Sequence, residues 1–286
     1  KSHGDGWKLQ LHPKKHGTVR LSDIGTIKIR GKARNENGKP KTMEVLKKGN
    51  EWFISVTFEY EKIERKCGTA AYGIDWGVND LFNIVDDKGN FSQIENPRFL
   101  KQSREKLTNL QQQLAKEKKG SRKFFKLKTQ INRLHRKISQ QRKDYAHQIT
   151  SKIVSETALI ATEKLTIKNM TRSAKGTIEK HGKNVKQKSG LNREILNTAP
   201  SMTLKMLQYK AEEAGSEYVE VPTRKIKPSQ TCPKCHTQKK KPLSERWHSC
   251  PCGCEMHRDE AAGTVCLNYA IGLKVLPEGN LPREAA

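Results

Sequence analysis

Paired cysteines in the last quarter of the chain constrain its fold more than any other feature. Cys232-Pro233-Lys234-Cys235 and Cys250-Pro251-Cys252-Gly253-Cys254 together hold five of the seven cysteines. Two tight turns that each present a pair of thiolates make the tetrahedral shell of a structural zinc ion. Cys232 and Cys235 have the usual two-residue spacing. Cys250 and Cys252 stand closer than that, so Cys254 or His248 remains open as a substitute ligand. A shell closed by four protein ligands leaves no position for substrate, and this zinc is expected to hold structure only. Cys67 and Cys266 read as simple structural thiols. Close cysteine pairs in a chain without a visible secretion signal point to metal instead of disulfides, and to a reducing, cytoplasmic compartment.

With 286 residues, 34% of them apolar, the chain can form two or three domains around a real core. Its formal net charge of +26 far exceeds what solubility requires. A surface of that sign attracts polyanions, so nucleic acid is the expected partner. No apolar run approaches the roughly 18 residues of a membrane-spanning helix, and no strong amphipathic helix rich in Trp or Phe is visible. No membrane partner is expected. The chain opens on Lys1, within the run-up to a β structure, and reads as the later part of a longer protein.

Residues 1–66 carry β patterning at Thr18–Leu21, Gly25–Ile29 and Trp52–Tyr60, with Asn37-Gly38 and Gly49-Asn50 as turns. They read as part of a small β-barrel, followed by a charged linker from Lys62 to Lys66. A strand over Ala70–Trp76, another over Leu81–Asp86, a turn at Asp87–Asn90 and a third strand over Phe91–Glu95 make an antiparallel meander. From Pro97 the period becomes helical, with Leu100, Leu107, Leu110 and Leu114 on one face. After a break at Lys119-Gly120-Ser121, Leu127, Ile131, Leu134, Ile138, Tyr145, Ile149 and Ile153 mark a second helix. The pair reads as a long antiparallel hairpin over about 98–156. It carries seventeen Lys or Arg between Arg98 and Glu156 against four Asp or Glu, an imbalance that suits a surface tracking phosphates. A strand over Ala158–Leu165 follows. The polar, basic stretch from Arg172 to Arg193 reads as a mobile loop. A helix is expected from about Asn192 to Ala214, interrupted near Pro200, and then a strand over Glu217–Val221 that Pro222 closes.

Three carboxylates stand out against this plan. Asp75 ends a strand before a glycine turn, Glu163 ends a later strand, and Asp259 opens a helix just after the cysteines. Each is weak evidence alone. Brought together by adjacent strands and a helix start, they converge within the roughly 4 Å that two hard divalent cations need. Such a site activates water and stabilises the leaving oxygen of a phosphodiester. No Walker loop, GxSxG elbow or paired Cys/His nucleophile offers a competing chemistry.

Gly73-Ile74-Asp75-Trp76-Gly77, Glu163-Lys164-Leu165, Lys227 to Cys235, and Cys252-Gly253 followed by His257-Arg258-Asp259 resemble the three RuvC motifs and zinc ribbon of the transposon-encoded TnpB nucleases. Compact type V CRISPR effectors share these parts. The resemblance implies an α/β, RNase H-like (RuvC) mixed sheet with an inserted helical hairpin and a zinc ribbon, preceded by a partial, wedge-like β-barrel. It divides the chain into 1–66, a first nuclease part at 67–225, a ribbon at 226–256 and a last helix and tail at 257–286. It implies that Asp75, Glu163 and Asp259 hold two magnesium ions, that 172–193 forms a lid, and that a guide RNA selects target DNA by base pairing while the protein reads a short flanking motif. The basic residues expected to meet nucleic acid are Lys118, Lys119, Arg122, Lys123, Lys126, Arg133, Arg136, Lys137, Arg172 and Lys175. The sequence departs from the family pattern at His257, where Asp is usual, at Ala261, where Asn is usual, and at Gly263, where Ala is usual. The implied function is RNA-guided, metal-dependent DNA cleavage. The rival readings are an inactive guided DNA-binding protein of the same ancestry and an unguided resolvase.

Overall fold

The computed structural model describes residues 2–3, 6–12, 15–31, 38–49, 51–61, 66–242, 244–273 and 275. Asn37, Asn50 and residues 62–65, to which a turn position or linker was assigned above, lie outside them. The chain divides into two compact units, Lys1–Glu64 with Lys118–Asn132, and Arg65–Glu117 with Arg133–Ala286.

In the first unit, β1 (Ser2–His3), β2 (Trp7–His12), β3 (Lys15–Leu21) and β4 (Gly25–Lys28) pair in that order as an antiparallel meander. Leu9 and Val19 face each other across β2 and β3 and are both buried, which fixes which face turns inward. β5 (Lys39–Lys48) and β6 (Glu51–Glu59) form a separate two-stranded sheet. Sequence reading missed β5 because lysines crowd its alternation. Its nine paired positions with β6 override that weak local signal.

The second unit is a mixed α/β sheet flanked by helices. β7 (Ala70–Trp76), β8 (Asp80–Asp86) and β9 (Phe91–Glu95) run antiparallel. The β8–β9 turn is held by Asp86, whose carboxylate accepts from the backbone N–H of Lys88 and Asn90 at 3.0 and 2.7 Å. α1 (Phe99–Lys116) and α2 (Arg122–Glu156) then supply the long crossover that a parallel strand requires. β10 (Thr157–Glu163) returns beside β7. Beyond it come α3 (Ile167–Met170), α4 (Val185–Asn197), α5 (Pro200–Ala214) and β11 (Glu217–Val221), which pairs parallel to β10. The sheet order is β11-β10-β7-β8-β9.

Alternation along the strands separates two faces. Ile74, Phe82, Ile84 and Ile160 pack with Ile149, Ile153 and Val154 of α2 and with Leu207, Ala211 and Ala214 of α5. Each fully buried aliphatic side chain there contributes about 1.5–3 kcal/mol. Lys210 of α5, buried among them, donates to His147 O, Thr150 Oγ1 and Ser151 Oγ at 2.7, 2.7 and 2.8 Å, so its charge is fully hydrogen-bonded. On the opposite face Ala161 and Val221 pack with Val265 and Cys266. Those two residues belong to the last helix. It is reached through the short α6 (Thr223–Ile226) and the hairpin of β12 (Trp247–Cys250) with β13 (Cys254–His257), and is α7 (Arg258–Ala270).

The stretch expected to be a mobile loop from Arg172 to Arg193 is partly helical, since α4 begins at Val185. Its lysines and glutamine favour a helix, and its polar side chains anchor it. Lys188 Nζ donates to Met170 O at 2.6 Å and Asn192 Nδ2 to Thr171 O at 2.8 Å, closing carbonyls at the end of α3. The interruption before Pro200 falls at Ala199, which adopts a left-handed conformation with φ of 49°.

Candidate metal centres

Asp75 sits one residue from the end of β7, opposite Asn83 of β8. On its other side Ile74 lies beside Thr162 of the parallel β10, so the next neighbours along are Asp75 and Glu163. Neighbours in register share a face of the sheet. Asn83, Asp75 and Glu163 therefore form a polar row, continued by Gln93, whose Nε2 donates to Asn83 Oδ1 at 2.8 Å.

Helix α7 covers this face, and two glycines let it do so. A Cβ on Gly73, two residues before Asp75, would fall 2.0 Å from the Gly263 carbonyl oxygen, and a Cβ on Gly263 would lie 3.1 Å from Gly73 O. Ala261, Ala262 and Gly263 are all buried. The small residue at 263, a departure from the family pattern, thus stands where helix and strand approach most closely.

Asp259 and Glu260 occupy the first turn of α7, where the helix dipole favours negative charge. The Asp259 backbone N–H donates to His257 Nδ1 at 3.4 Å, which makes His257 the N-cap. Its ring stacks on Phe91 with centroids 5.7 Å apart. A histidine here takes the capping role that a short acidic side chain fills in many helices. Asp259 Oδ2 lies 3.9 Å from both Arg246 Nη1 and His257 Nδ1. Arg258 turns the other way: its Nη1 donates to Pro242 O at 3.0 Å, tying the start of α7 to the loop before β12.

The carboxylates act on one another. Burial pushes Asp75 well above the usual carboxylate range, the charges of Glu163 and Asp259 push further, and Arg258 opposes them. Burial raises Glu163 to about 7. The fully buried Cys266 thiol is also pushed up, by burial and then by Glu163 and Asp75. Mutual repulsion in a low dielectric is what a divalent cation relieves. Among the described residues the three carboxylates do not form a group whose ligand atoms all lie within 4.8 Å of one another. One ion needs ligands that close, whereas two ions about 3.5–4 Å apart are spanned by a wider set.

The cysteines do form such a group: Cys232, Cys235, Cys250 and Cys252. Cys232 Sγ is 3.6 Å from Cys252 Sγ, and Cys235 Sγ is 3.4 Å from Cys250 Sγ. Zinc–sulfur bonds of about 2.3 Å give a tetrahedron with edges of about 3.8 Å, so the thiols fit zinc. The first turn is closed by the backbone, with His236 N–H donating to Cys232 O at 2.9 Å and His236 itself left-handed at φ of 64°. The second is a hairpin turn: Cys250 pairs with Cys254, and Gly253 takes φ of 79°. Cys252 therefore projects from the turn itself, which is why its spacing from Cys250 is short. Hydrogen bonding with the Thr237 side chain and backbone holds the Cys235 thiol down at about 6, whereas burial pushes Cys232 up to about 11. One thiolate is ready at neutral pH, and the others ionise when a cation shares the charge. Cys254 and His248 do not complete this group. They adjoin it through Cys232.

Of the basic residues singled out from sequence, Lys118, Lys119, Arg122, Lys123, Lys126, Arg133, Lys137, Arg172 and Lys175 are exposed, and Arg136 is half-buried. Sequence reading assigned no role to Asn83 or Arg258, did not see His257 as a cap, and read Cys266 as a simple structural thiol. Only Asn83 had a visible signal, a buried polar residue inside an apolar strand.

A family model described as "Probable transposase" (OrfB_IS605) matches residues 54–174, and one described as "Cas12f1-like, TNB domain" matches 201–265. The chain is similar to these two families over those two segments. Asp75 and Glu163 fall within the first match, and the four cysteines and Asp259 within the second. Among curated relatives, "Putative RNA-guided DNA endonuclease InsQ" of Escherichia coli (strain K12) is 33% identical over 232 residues, which cover 80% of this chain and 56% of that protein. "Putative RNA-guided DNA endonuclease" of Streptomyces pristinaespiralis is 27% identical over 250 residues, 87% of this chain and 57% of that one. The chain thus spans a little over half the length of these relatives. Solved structures of a Cas12f1-sgRNA-target DNA complex and a CRISPR-Cas12f ternary complex overlap 79% and 81% of the chain, and 55% and 45% of theirs. Their identities are 17% and 16%, with TM-scores of 0.46 and 0.48. No helix among the described residues is long and apolar enough to cross a membrane.

Proposed function

We propose that this chain is the catalytic part of an RNA-guided, divalent-metal-dependent DNA endonuclease with an RNase H-like, RuvC-type site. The observation that carries the reading is the row of Asp75 and Glu163 on adjacent strands, electrostatically coupled to Asp259 at the start of the helix that crosses them. The sheet order, with two parallel strands added to an antiparallel meander, supports the RNase H-like assignment. The names of the curated relatives support RNA-guided cleavage of DNA.

In this reading Asp75, Glu163 and Asp259 hold two magnesium ions, and the four cysteines hold one structural zinc. Bound there, magnesium would activate water for attack on a phosphodiester and stabilise the leaving oxygen. Asp75, on which the charges of both Glu163 and Asp259 act, would hold metal together with them. Asn83 orients Asp75 from the neighbouring strand, and His257 fixes the first turn of α7 so that Asp259 faces the row. Residues 172–193 act as a lid, the N-terminal strands belong to a wedge-like partial barrel, and the exposed lysines and arginines of the helical hairpin follow the phosphates of guide RNA and target DNA.

The test uses the full-length protein copurified with its RNA, assayed for DNA cleavage in magnesium. Cleavage is expected to need the RNA and to vanish in Asp75→Ala. Cleavage that persists in the variant, or without RNA, contradicts the proposal.

A further inference from the structure

The cysteine centre has a second layer. Cys232, His248 and Cys254 are all buried, and their ligand atoms lie within 4.8 Å of one another, so Cys232 belongs to both groups. His248 is 3% exposed, and its Nε2 has no hydrogen-bond partner among the described residues. Its Nδ1 is paired with Nζ of Lys241, itself buried. The Lys241 charge also acts on Cys232 and Cys250.

A buried imidazole beside two thiols has three possible uses: ligand to a second metal ion, replacement ligand for the first, or donor to a sulfur that is already a ligand. Counting protons separates them. A lysine ammonium has three donors and no acceptor, so His248 Nδ1 accepts from it. A neutral imidazole that accepts at Nδ1 carries its proton at Nε2, and a protonated nitrogen cannot bind a metal. Histidines that bind zinc through one nitrogen usually give the proton of the other to a carboxylate or carbonyl. Here a cation stands in that place. The remaining use is donation: the sulfurs of Cys232 and Cys254 lie within 4.8 Å of the imidazole, and of these two only Cys232 belongs to the four-cysteine group.

We propose that His248, fixed in one tautomer by Lys241, donates its Nε2–H to the Cys232 thiolate and acts as a positioning residue for the zinc, not as a ligand. Four thiolates around one zinc ion carry two net negative charges, here in a site where Cys232 is buried and the other three are half-buried. The Nε2–H and the Lys241 ammonium offset that charge on the side of Cys232, the most buried of the four ligands. Cys254 is thereby left as a neighbouring thiol outside the shell. The inference rests on reading the four cysteines as a zinc site.

Cobalt substitution of the full chain tests it. Wild type is expected to show the visible bands of a four-sulfur site. His248→Leu should keep those bands, move the sulfur-to-cobalt charge-transfer band to lower energy, and release zinc to a chelator about tenfold faster. His248→Gln, which keeps an N–H donor, should recover part of both effects, and Lys241→Met should move both in the same direction as His248→Leu. Should the leucine variant fail to fold, the glutamine and Lys241→Met variants carry the test. A nitrogen ligand in wild type, a second bound metal that His248→Leu removes, or spectra and release rates unchanged in all variants would overturn the proposal. A wild type that binds no cobalt at the cysteines refutes the zinc reading itself, and the proposal falls with it.

Discussion

The four cysteines of the proposed zinc centre come from one local stretch, Cys232 to Cys252, whereas the carboxylates of the proposed magnesium centre, Asp75, Glu163 and Asp259, are spread over most of the chain. The difference decides what each centre contributes. Neither apolar core cluster draws a residue from 228–256, so the two turns are expected to depend on an ion for their stability. Around the carboxylates the sheet and its helices bury a large core, and the fold is expected to stand without an ion. There burial raises Asp75 and Glu163 above the usual carboxylate range. Metal should therefore fold the first centre and merely neutralise the second.

The largest effect that bears on this contrast is expected from zinc removal. Structural zinc in small ribbons supplies about 10–16 kcal/mol of binding energy. Chelation, or Cys235→Ser, should abolish hydrogen-exchange protection over 228–256 while β7, β8 and β10 keep theirs. An unchanged melting temperature and unchanged protection after zinc loss would erase the contrast. Next comes Gly73→Ala. Its methyl would enter the space of the Gly263 carbonyl and the Leu267 side chain, so urea denaturation should show a loss of about 3 kcal/mol. A neutral result would mean that α7 does not need its close seat on β7.

The subtlest effect is a pH dependence. Burial raises the Glu163 carboxyl to about 7 in the folded chain, from its ordinary value of about 4.5. Between those values the native state holds a proton that the unfolded state has lost, so stability falls as pH rises through about 7 and is greatest below about 4.5. Glu163→Gln removes that titration. The ion-free variant should melt above wild type at about pH 8 and show no such gain at about pH 4. Equal melting curves at both pH values would mean that Glu163 is not strained.

How far these features were legible in the sequence follows from how local they are. Strands β7, β9 and β11 begin and end where alternation and turn residues place them, because each is bounded by Gly, Pro or Asn. The break between α1 and α2 at Gly120 is legible for the same reason. β5 and the start of α4 were hidden. Lysines mask the alternation of β5, whose partner strand enforces its pairing, and α4 is held by Lys188 and Asn192 bonding to distant carbonyls. At the carboxylate centre the residue types were visible, but their arrangement was not. That Asp75 and Glu163 share a row follows from the parallel register of β7 and β10, and that α7 lies against the same face follows from Gly73 meeting Gly263. At the cysteine centre spacing gave the thiols. The choice of Cys252 over Cys254 depends on Gly253 turning the chain between them.

The central claim is that the carboxylates, and not the cysteines, hold the hard cation. Manganese titration of the full chain, with bound ion read by electron paramagnetic resonance and zinc content measured on the same samples, tests it most directly. Asp75→Asn is expected to weaken manganese binding by roughly tenfold or more while zinc content stays at the wild-type level. Manganese binding undiminished in Asp75→Asn would contradict the account.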